Sequence, residues 1–289
     1  MIDYKFFTDF QKELYTKHGY MLDKLNNSTS FWYFNKREGK KSYRDVYAHN
    51  YYVEYAKKFE SKRKSALKVL EIGVWKGFSL LLWQRYFPNA EIYGIDINLS
   101  MSFRGKSATE LLKDEKRIQL FEFDACDKKN VDEFVKENGG DFDIIIEDGS
   151  HLGHHQILST FYYMPLLKKD GIMAIEDIGH TYDRTNDKYM IIDNKGSSIE
   201  FEDFDGTANY KPIYEYFMLN YNQIKNTHSH KLYPLLIDKE NVELLDNINI
   251  EWKPHVDKEV AFKDADLEGN TILAPFFGNA QLAFLTYKT

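Results

Sequence analysis

Acidic and imidazole side chains gather in two short stretches of the chain. The first reads Asp143-Ile-Ile-Ile-Glu-Asp148-Gly-Ser-His151 and the second Gly171-Ile-Met-Ala-Ile-Glu176-Asp177. In each, an apolar run of strand length leads straight into carboxylates. If the two runs are neighbouring strands, about 4.8 Å apart, Asp148, Glu176 and Asp177 converge at the strand ends, where open α/β sheets bind ligands. Three carboxylates there would repel one another without a cation. A hard divalent ion with an oxygen preference, Mg²⁺ first and Mn²⁺ or Ca²⁺ next, offsets that repulsion. Taken singly, each of the three reads better as an N-cap of the helix after its strand. A different chemistry is open to His151, His154 and His155: two of them with Asp148 would make a two-histidine, one-carboxylate site for Fe(II). That site leaves Glu176 and Asp177 without a role, and His154 and His155 begin an apolar helix, where first-turn side chains often stay solvated. The oxygen-rich site is the stronger reading.

A second group lies upstream. Val69-Leu-Glu71-Ile-Gly73-Val-Trp-Lys-Gly77-Phe-Ser is a strand entering a glycine turn and then a helix. Gly73 and Gly77 would let the backbone approach a ligand where a Cβ would collide. The next run, Ile92-Tyr-Gly-Ile-Asp96, ends on an acid 23 positions after Gly73. That is close to the offset of about 20 at which an acidic side chain meets ribose hydroxyls in doubly wound folds. Gly-x-x-x-Gly is not the three-glycine dinucleotide fingerprint, and no Gly-Lys-Ser/Thr phosphate loop occurs. The pocket therefore favours an adenosine-bearing ligand without demanding a pyrophosphate. An ordinary tight turn with a surface aspartate fits the same residues. Asp124, in Phe121-Glu-Phe-Asp124, is a candidate for the adenine end and equally for a helix N-cap.

These residues need a scaffold, and the hydrophobic pattern supplies one. From Leu67, short apolar runs (Leu67–Ile72, Ile92–Ile95, Ile118–Phe123, Ile144–Ile146, Ile172–Ile175) alternate with longer amphipathic stretches (Phe78–Phe87, Val131–Val135, Ile157–Leu167). Strands buried on both faces and crossover helices give that alternation, hence a parallel α/β sheet. Upstream, Asp3–Leu25 and Tyr51–Arg63 read as amphipathic helices, joined through the turn residues Asn26-Asn-Ser-Thr-Ser. Past Asp183 the regularity breaks into polar sequence. Tyr210–Tyr221 then reads as a helix, and Ile248–Trp252 and Gln281–Tyr287 as strands that could complete the sheet edge, in an order the pattern does not settle.

The chain has 289 residues, 43% hydrophobic and 29% charged, enough to build a sizeable core and too balanced for disorder. Its net charge of −7 excludes the basic excess of a non-specific nucleic-acid binder. A single cysteine, Cys126, excludes an intrachain disulfide framework and fits a reducing compartment. No apolar run nears the roughly 20 residues of a membrane span, and the N-terminus lacks a signal-peptide pattern. The expectation is a cytoplasmic protein with no nucleic-acid partner and no membrane insertion.

Leu70-Glu-Ile-Gly-Val-x-x-Gly, Ile95-Asp96, Ile146-Glu-Asp-Gly-Ser-His151 and Ile175-Glu-Asp-Ile178 together resemble the S-adenosylmethionine-dependent, Mg²⁺-dependent sugar O-methyltransferases of macrolide tailoring, the mycinamicin 2′-O-methyltransferase type. Relatives in that group often carry the label cephalosporin hydroxylase. The resemblance covers roughly residues 67 to 183, with Tyr47-Ala-His49-Asn-Tyr51 as a short upstream match.

It implies a Rossmann-like class I methyltransferase fold: a mostly parallel seven-stranded sheet, helices on both faces, and an N-terminal helical extension. It implies that Asp148, Glu176 and Asp177 bind the metal and that His151 is the general base. Gly73 and Asp96 match donor-holding positions, joined by Glu71, Gly77, Asp124 and Asp148. By position, Tyr47, His49, His180 and Tyr182 flank the motifs and are candidates for acceptor contacts, and equally for buried or surface aromatics. Residues 1–64 would form a helical segment for acceptor or oligomer contacts, and residues 65–289 the catalytic domain, with a variable substrate region from about 184. The acceptor expected is a small molecule or glycan, and the assembly a homodimer or tetramer. The Asn-, Lys- and Ile-rich composition favours surface-polysaccharide or capsule chemistry over macrolide tailoring. Other readings are methylation of a phosphate or phosphoramidate oxygen, a non-haem Fe(II) hydroxylase, and a non-catalytic adenosine-ligand sensor.

Overall fold

A computed structural model describes residues 51–101, 106–150, 153–176, 182–183, 188–192, 198–200, 238–253, 263–265, 271–273 and 282–289, with Phe6, Phe10 and Glu13. The chain divides into two compact units, Met1–Phe123 with His255–Ala280 and Asp124–Pro254 with Gln281–Thr289. Among the described residues no helix is long and apolar enough to cross a membrane.

The first unit opens with helix α1 (Tyr51–Phe59), which tightens into a 3₁₀ turn at Glu60–Lys62. Strand β1 (Lys68–Ile72), helix α2 (Phe78–Tyr86), strand β2 (Glu91–Asp96), the short helix α3 (Ala108–Leu112) and strand β3 (Ile118–Glu122) follow. The strands run parallel in the order β3-β2-β1, with Ile72 opposite Ile95 and Asp96 opposite Glu122. Val69, Leu70, Glu71 and Ile72 are all buried, as a strand covered on both faces requires.

Packing between α1 and α2 is aromatic. Tyr55 and Phe59, one turn apart, stack at 4.9 Å, and Trp83 meets Tyr55 edge-on at 5.3 Å. Burying each such ring contributes roughly 1.5–3 kcal/mol. Phe6 and Phe10 are helical, as the N-terminal periodicity predicts. Phe6 meets Tyr86 edge-on at 5.4 Å, and Glu13 pairs with Arg85. The remainder of Asp3–Leu25 lies outside the described residues.

The second unit contains helix α4 (Lys128–Asn138), strand β4 (Phe142–Glu147), helix α5 (Gly153–Tyr163), a 3₁₀ turn (Met164–Leu166) and strand β5 (Leu167–Ile175). Three short strands, β6 (Tyr182–Asp183), β7 (Lys188–Ile192) and β8 (Ser198–Glu200), form an antiparallel sheet of their own. Helix α6 (Lys239–Asp246) and strand β9 (Ile248–Lys253) come next. The hairpin of β10 (Lys263–Ala265) and β11 (Thr271–Leu273) belongs to the first unit, and β12 (Leu282–Tyr287) returns to the second.

Here the strand order is β4-β5-β12-β9. β4 and β5 are parallel, and β12 is antiparallel to both β5 and β9. β9 and β12 therefore do complete the sheet edge, the later strand lying inside the earlier one. The expected segment Tyr210–Tyr221 lies outside the described residues.

In the first unit the neighbours β1–β2 and β2–β3, and in the second β4–β5, are parallel and each joined through a helix, so the α/β expectation is borne out. β5 differs in extent, beginning at Leu167 rather than Ile172. Its first half carries Lys168, Lys169 and Asp170, which conceal a strand from any hydrophobic pattern. The pairing also shifts between Phe142 and Ile144 of β4. Lys168 Nζ reaches the buried Asp143 carboxylate at 2.8 Å, giving this polar stretch its anchor on β4.

Candidate functional site

The glycine turn of the first unit is built on left-handed backbone. Gly73 has φ 91° and Gly77 φ 81°, and Trp75 between them has φ 45°. Such values are cheap for glycine and costly for tryptophan. The compensation comes from Asp96. Its Oδ2 accepts the backbone N–H groups of Val74 at 2.8 Å and Trp75 at 2.7 Å, while Oδ1 accepts that of Asn98 at 2.8 Å. The Gly73 N–H goes to the Ile95 carbonyl at 2.8 Å. Glycine turn and acid, 23 positions apart in sequence, are thus one hydrogen-bonded unit. Gly77 also serves packing: a Cβ there would lie 2.6 Å from Leu112 Cδ1 on α3.

Glu71 sits two residues before the turn and is 1% exposed. Burial pushes its carboxyl up from 4.5 to about 8; the Ser79 hydroxyl and the Trp83 indole oppose this and the Asp96 charge adds to it. The Trp83 Nε1–H lies near that carboxyl without closing a hydrogen bond of normal geometry. Glu71 Oε2 likewise has no partner among the described residues. Asp124, exposed just past β3, accepts the Cys126 N–H at 2.9 Å through Oδ1. The N-cap of α4 is Asp127 instead, whose side chain accepts from the Lys129 N–H. Of its two sequence readings, Asp124 therefore loses the helix cap.

In the second unit β4 and β5 end side by side. Glu147 pairs with Ile175, and the Glu176 N–H extends the ladder by donating to the Glu147 carbonyl at 2.9 Å. Asp148 and Glu176, both half-buried, are consequently the next residues after adjacent parallel strand ends. The neighbouring-strand premise of the carboxylate reading is met. His151, Asp177 and His180 lie outside the described residues, as do Tyr47 and His49. Tyr182 falls in β6 and His154 in α5. Among the described residues no group of three or more His, Cys, Asp or Glu side chains could hold a metal ion.

Two further residues lie beside these strand ends: His155, which the sequence offers as an iron ligand or a helix-start residue, and Gln156, which it does not single out. His155, half-buried on α5, has its Nδ1 at 2.6 Å from Ser150 Oγ. Gln156, fully buried, donates its Nε2–H to the Glu176 carbonyl at 2.8 Å. His155 is thus a first-turn helix residue, as expected, and is in addition engaged by Ser150 of the loop after β4. For Gln156 the only textual signal was a glutamine inside the apolar face of a helix.

Cys126 is also half-buried. Burial pushes its thiol far above the ordinary range, and the charges of Asp124 and Glu147 add to the effect.

The motif-based resemblance is borne out by comparison with known proteins. The family model described as O-methyltransferase matches residues 60–187. The chain is 34% identical over 143 residues to mycinamicin VI 2″-O-methyltransferase of Micromonospora griseorubida, covering 47% of this chain and 33% of that protein. It is 32% identical over 135 residues to L-olivosyl-oleandolide 3-O-methyltransferase of Streptomyces antibioticus, covering 44% and 32%. The chain thus spans about a third of the length of these curated relatives. Among solved structures, MycE methyltransferase from the mycinamycin biosynthetic pathway, in complex with Mg and SAH, aligns with a TM-score of 0.46 and 23% identity. That alignment covers 81% of this chain and 48% of that one.

Proposed function

We propose that the chain is an S-adenosylmethionine-dependent O-methyltransferase that methylates a hydroxyl of a sugar or glycoconjugate with the help of Mg²⁺. The observation that carries the reading is the pairing of β4 with β5, which makes Asp148 and Glu176 neighbours at two parallel strand ends. Half-buried acidic residues that follow adjacent strand ends suit a hard divalent cation, with Asp177 as the third oxygen ligand. Relatives named for O-methylation of glycosylated natural products support a sugar hydroxyl as the acceptor.

Asp148, Glu176 and Asp177 would hold Mg²⁺, which would supply positive charge to lower the proton affinity of an acceptor hydroxyl. S-adenosylmethionine supplies a methyl carbon on a sulfonium: as the acceptor oxygen bonds to that carbon, the carbon–sulfur bond breaks and S-adenosylhomocysteine leaves. His151, three positions after Asp148, would take the hydroxyl proton as general base. Gly73, Gly77 and Asp96 hold the donor's nucleoside and amino-acid parts, with Glu71, Asp124 and Asp148 around them. The hydrogen-bonded glycine turn limits reorganisation when the donor arrives, an orientation effect of the kind that lowers barriers. Tyr47, His49, His180 and Tyr182 are assigned to the acceptor, residues 1–64 to acceptor or subunit contacts, and the assembly to a homodimer or tetramer.

The test is methyl transfer from labelled S-adenosylmethionine to a panel of glycosides, with and without excess EDTA. Labelled product that disappears on chelation and returns with Mg²⁺ is expected. His151→Ala should abolish turnover while donor binding by calorimetry persists, and Asp148→Asn should remove activity or steeply raise the metal requirement. Transfer undiminished by EDTA would refute the metal's part. A chain with no affinity for either S-adenosylmethionine or S-adenosylhomocysteine would refute the whole reading.

A further inference from the structure

We infer that His155 and Gln156 form a bracket that positions the divalent-cation ligands, one residue fastening each of the two strand ends. The inference rests on the reading of Asp148, Glu176 and Asp177 as metal ligands, and it assigns these two neighbours a role of their own. They are consecutive residues near the start of α5 and engage opposite sides of the same gap. His155 Nδ1 lies 2.6 Å from Ser150 Oγ, in the loop that carries Asp148 and His151 off the end of β4. Gln156 Nε2–H reaches the Glu176 carbonyl at 2.8 Å, where the chain leaves β5 toward Asp177.

Both bonds fall where the chain leaves the paired strands, at Ser150 after β4 and at Glu176 after β5. The last ladder bond in reach is that from the Glu176 N–H to the Glu147 carbonyl. Beyond it, carboxylate directions depend on what holds the backbone. Gln156 suits that task because it is fully buried, so packing holds the amide that donates to the Glu176 carbonyl. It is also continuous with the core through Thr160, whose hydroxyl donates to the Gln156 carbonyl at 2.8 Å. The α5 backbone thus carries a rigid reference from the core to both ligand-bearing segments. Residues that orient metal ligands in this way typically govern metal affinity by about 10–100-fold when removed.

The experiment titrates Mn²⁺ into the full chain and follows the free-ion electron paramagnetic resonance signal, alongside S-adenosylhomocysteine affinity by calorimetry. Wild type, Gln156→Leu, Ser150→Ala and, as the control for the ligand reading, Asp148→Asn are compared. Gln156→Leu should weaken Mn²⁺ binding by about 10–100-fold. Ser150→Ala, at an exposed position, should weaken it several-fold. S-adenosylhomocysteine affinity should hold in both, and turnover lost at low Mg²⁺ should return at high Mg²⁺. Unchanged Mn²⁺ affinity in the folded variants overturns the bracket, and so does a parallel loss of S-adenosylhomocysteine affinity, which would mark a general structural role. If Gln156→Leu does not fold, Ser150→Ala decides by the same criteria. Failure of the underlying metal reading looks different: wild type itself binds no Mn²⁺, or Asp148→Asn binds it equally well.

Discussion

Asp96 holds three backbone N–H groups, two on one oxygen and one on the other. A carboxylate offers about four lone-pair sites, so Oδ1 keeps capacity for a ribose hydroxyl while Oδ2 is committed to the turn. The clamp and the proposed sugar contact are compatible on one side chain. Glu71 makes a sharper prediction. Its carboxyl is near 4.5 before folding and pushed up to about 8 in the folded chain. Below pH 4.5 both states hold the proton. Between 4.5 and 8 only the folded state does, so stability declines as pH rises and levels off above 8. The slope reaches at most about 1.4 kcal/mol per pH unit. Urea midpoints at pH 5, 6.5 and 8 should show that decline in wild type and lose it in Glu71→Gln; equal slopes would mean that Glu71 ionises freely. Asp148, Glu176 and the glycine turn were legible because each follows directly on a strand. Gln156 was not, since its significance is a contact with a carbonyl 20 positions away rather than a spacing, and His155 was visible as an imidazole but not as a partner of Ser150.

α3 shows what a hydrophobic period cannot reveal. It has five residues, too few for a hydrophobic repeat to mark it. Its capping box was nonetheless written in the text: Ser107 accepts the Glu110 N–H at 3.2 Å, and Glu110 returns a bond to the Ser107 N–H at 3.0 Å. β5 was found but shortened, because Lys168-Lys-Asp carries no apolar signal and becomes strand only through its register with β4. The end of α2 depends on an equally remote side chain. Arg117, from the edge of β3, donates to the carbonyls of Gln84 at 2.6 Å, Ala90 at 2.5 Å and Phe87 at 3.2 Å. These carbonyls lie at and beyond the last turn of α2, where intrahelical donors run out; that of Phe87 also accepts the Ala90 N–H at 3.1 Å. Arg117→Met keeps much of the stem and removes the donors, and should cost about 2–4 kcal/mol. A urea midpoint within error of wild type would show that water replaces the guanidinium.

At the scale of the molecule, the α/β class followed from alternating runs, since strands covered on both faces need unbroken apolar sequence. The placement of the last strands did not follow, because pairing order leaves no trace in composition. β12 fills the position between β5 and β9, with Leu282, Ala283, Phe284 and Leu285 all buried. Deleting residues 282–289 should remove a central strand of the second unit and expose the flanks of two others, a recipe for edge-to-edge association. The expected result is loss of soluble, cooperatively melting protein; a monomer with wild-type melting behaviour would show that β5 and β9 tolerate the gap. The same arrangement bears on synthesis. A ribosome adding roughly 5–20 residues per second must extend the nascent chain by more than a hundred residues after finishing β5 before β12 exists. For on the order of 5–20 seconds the half-made sheet is therefore a natural client for chaperones that shield open strand flanks.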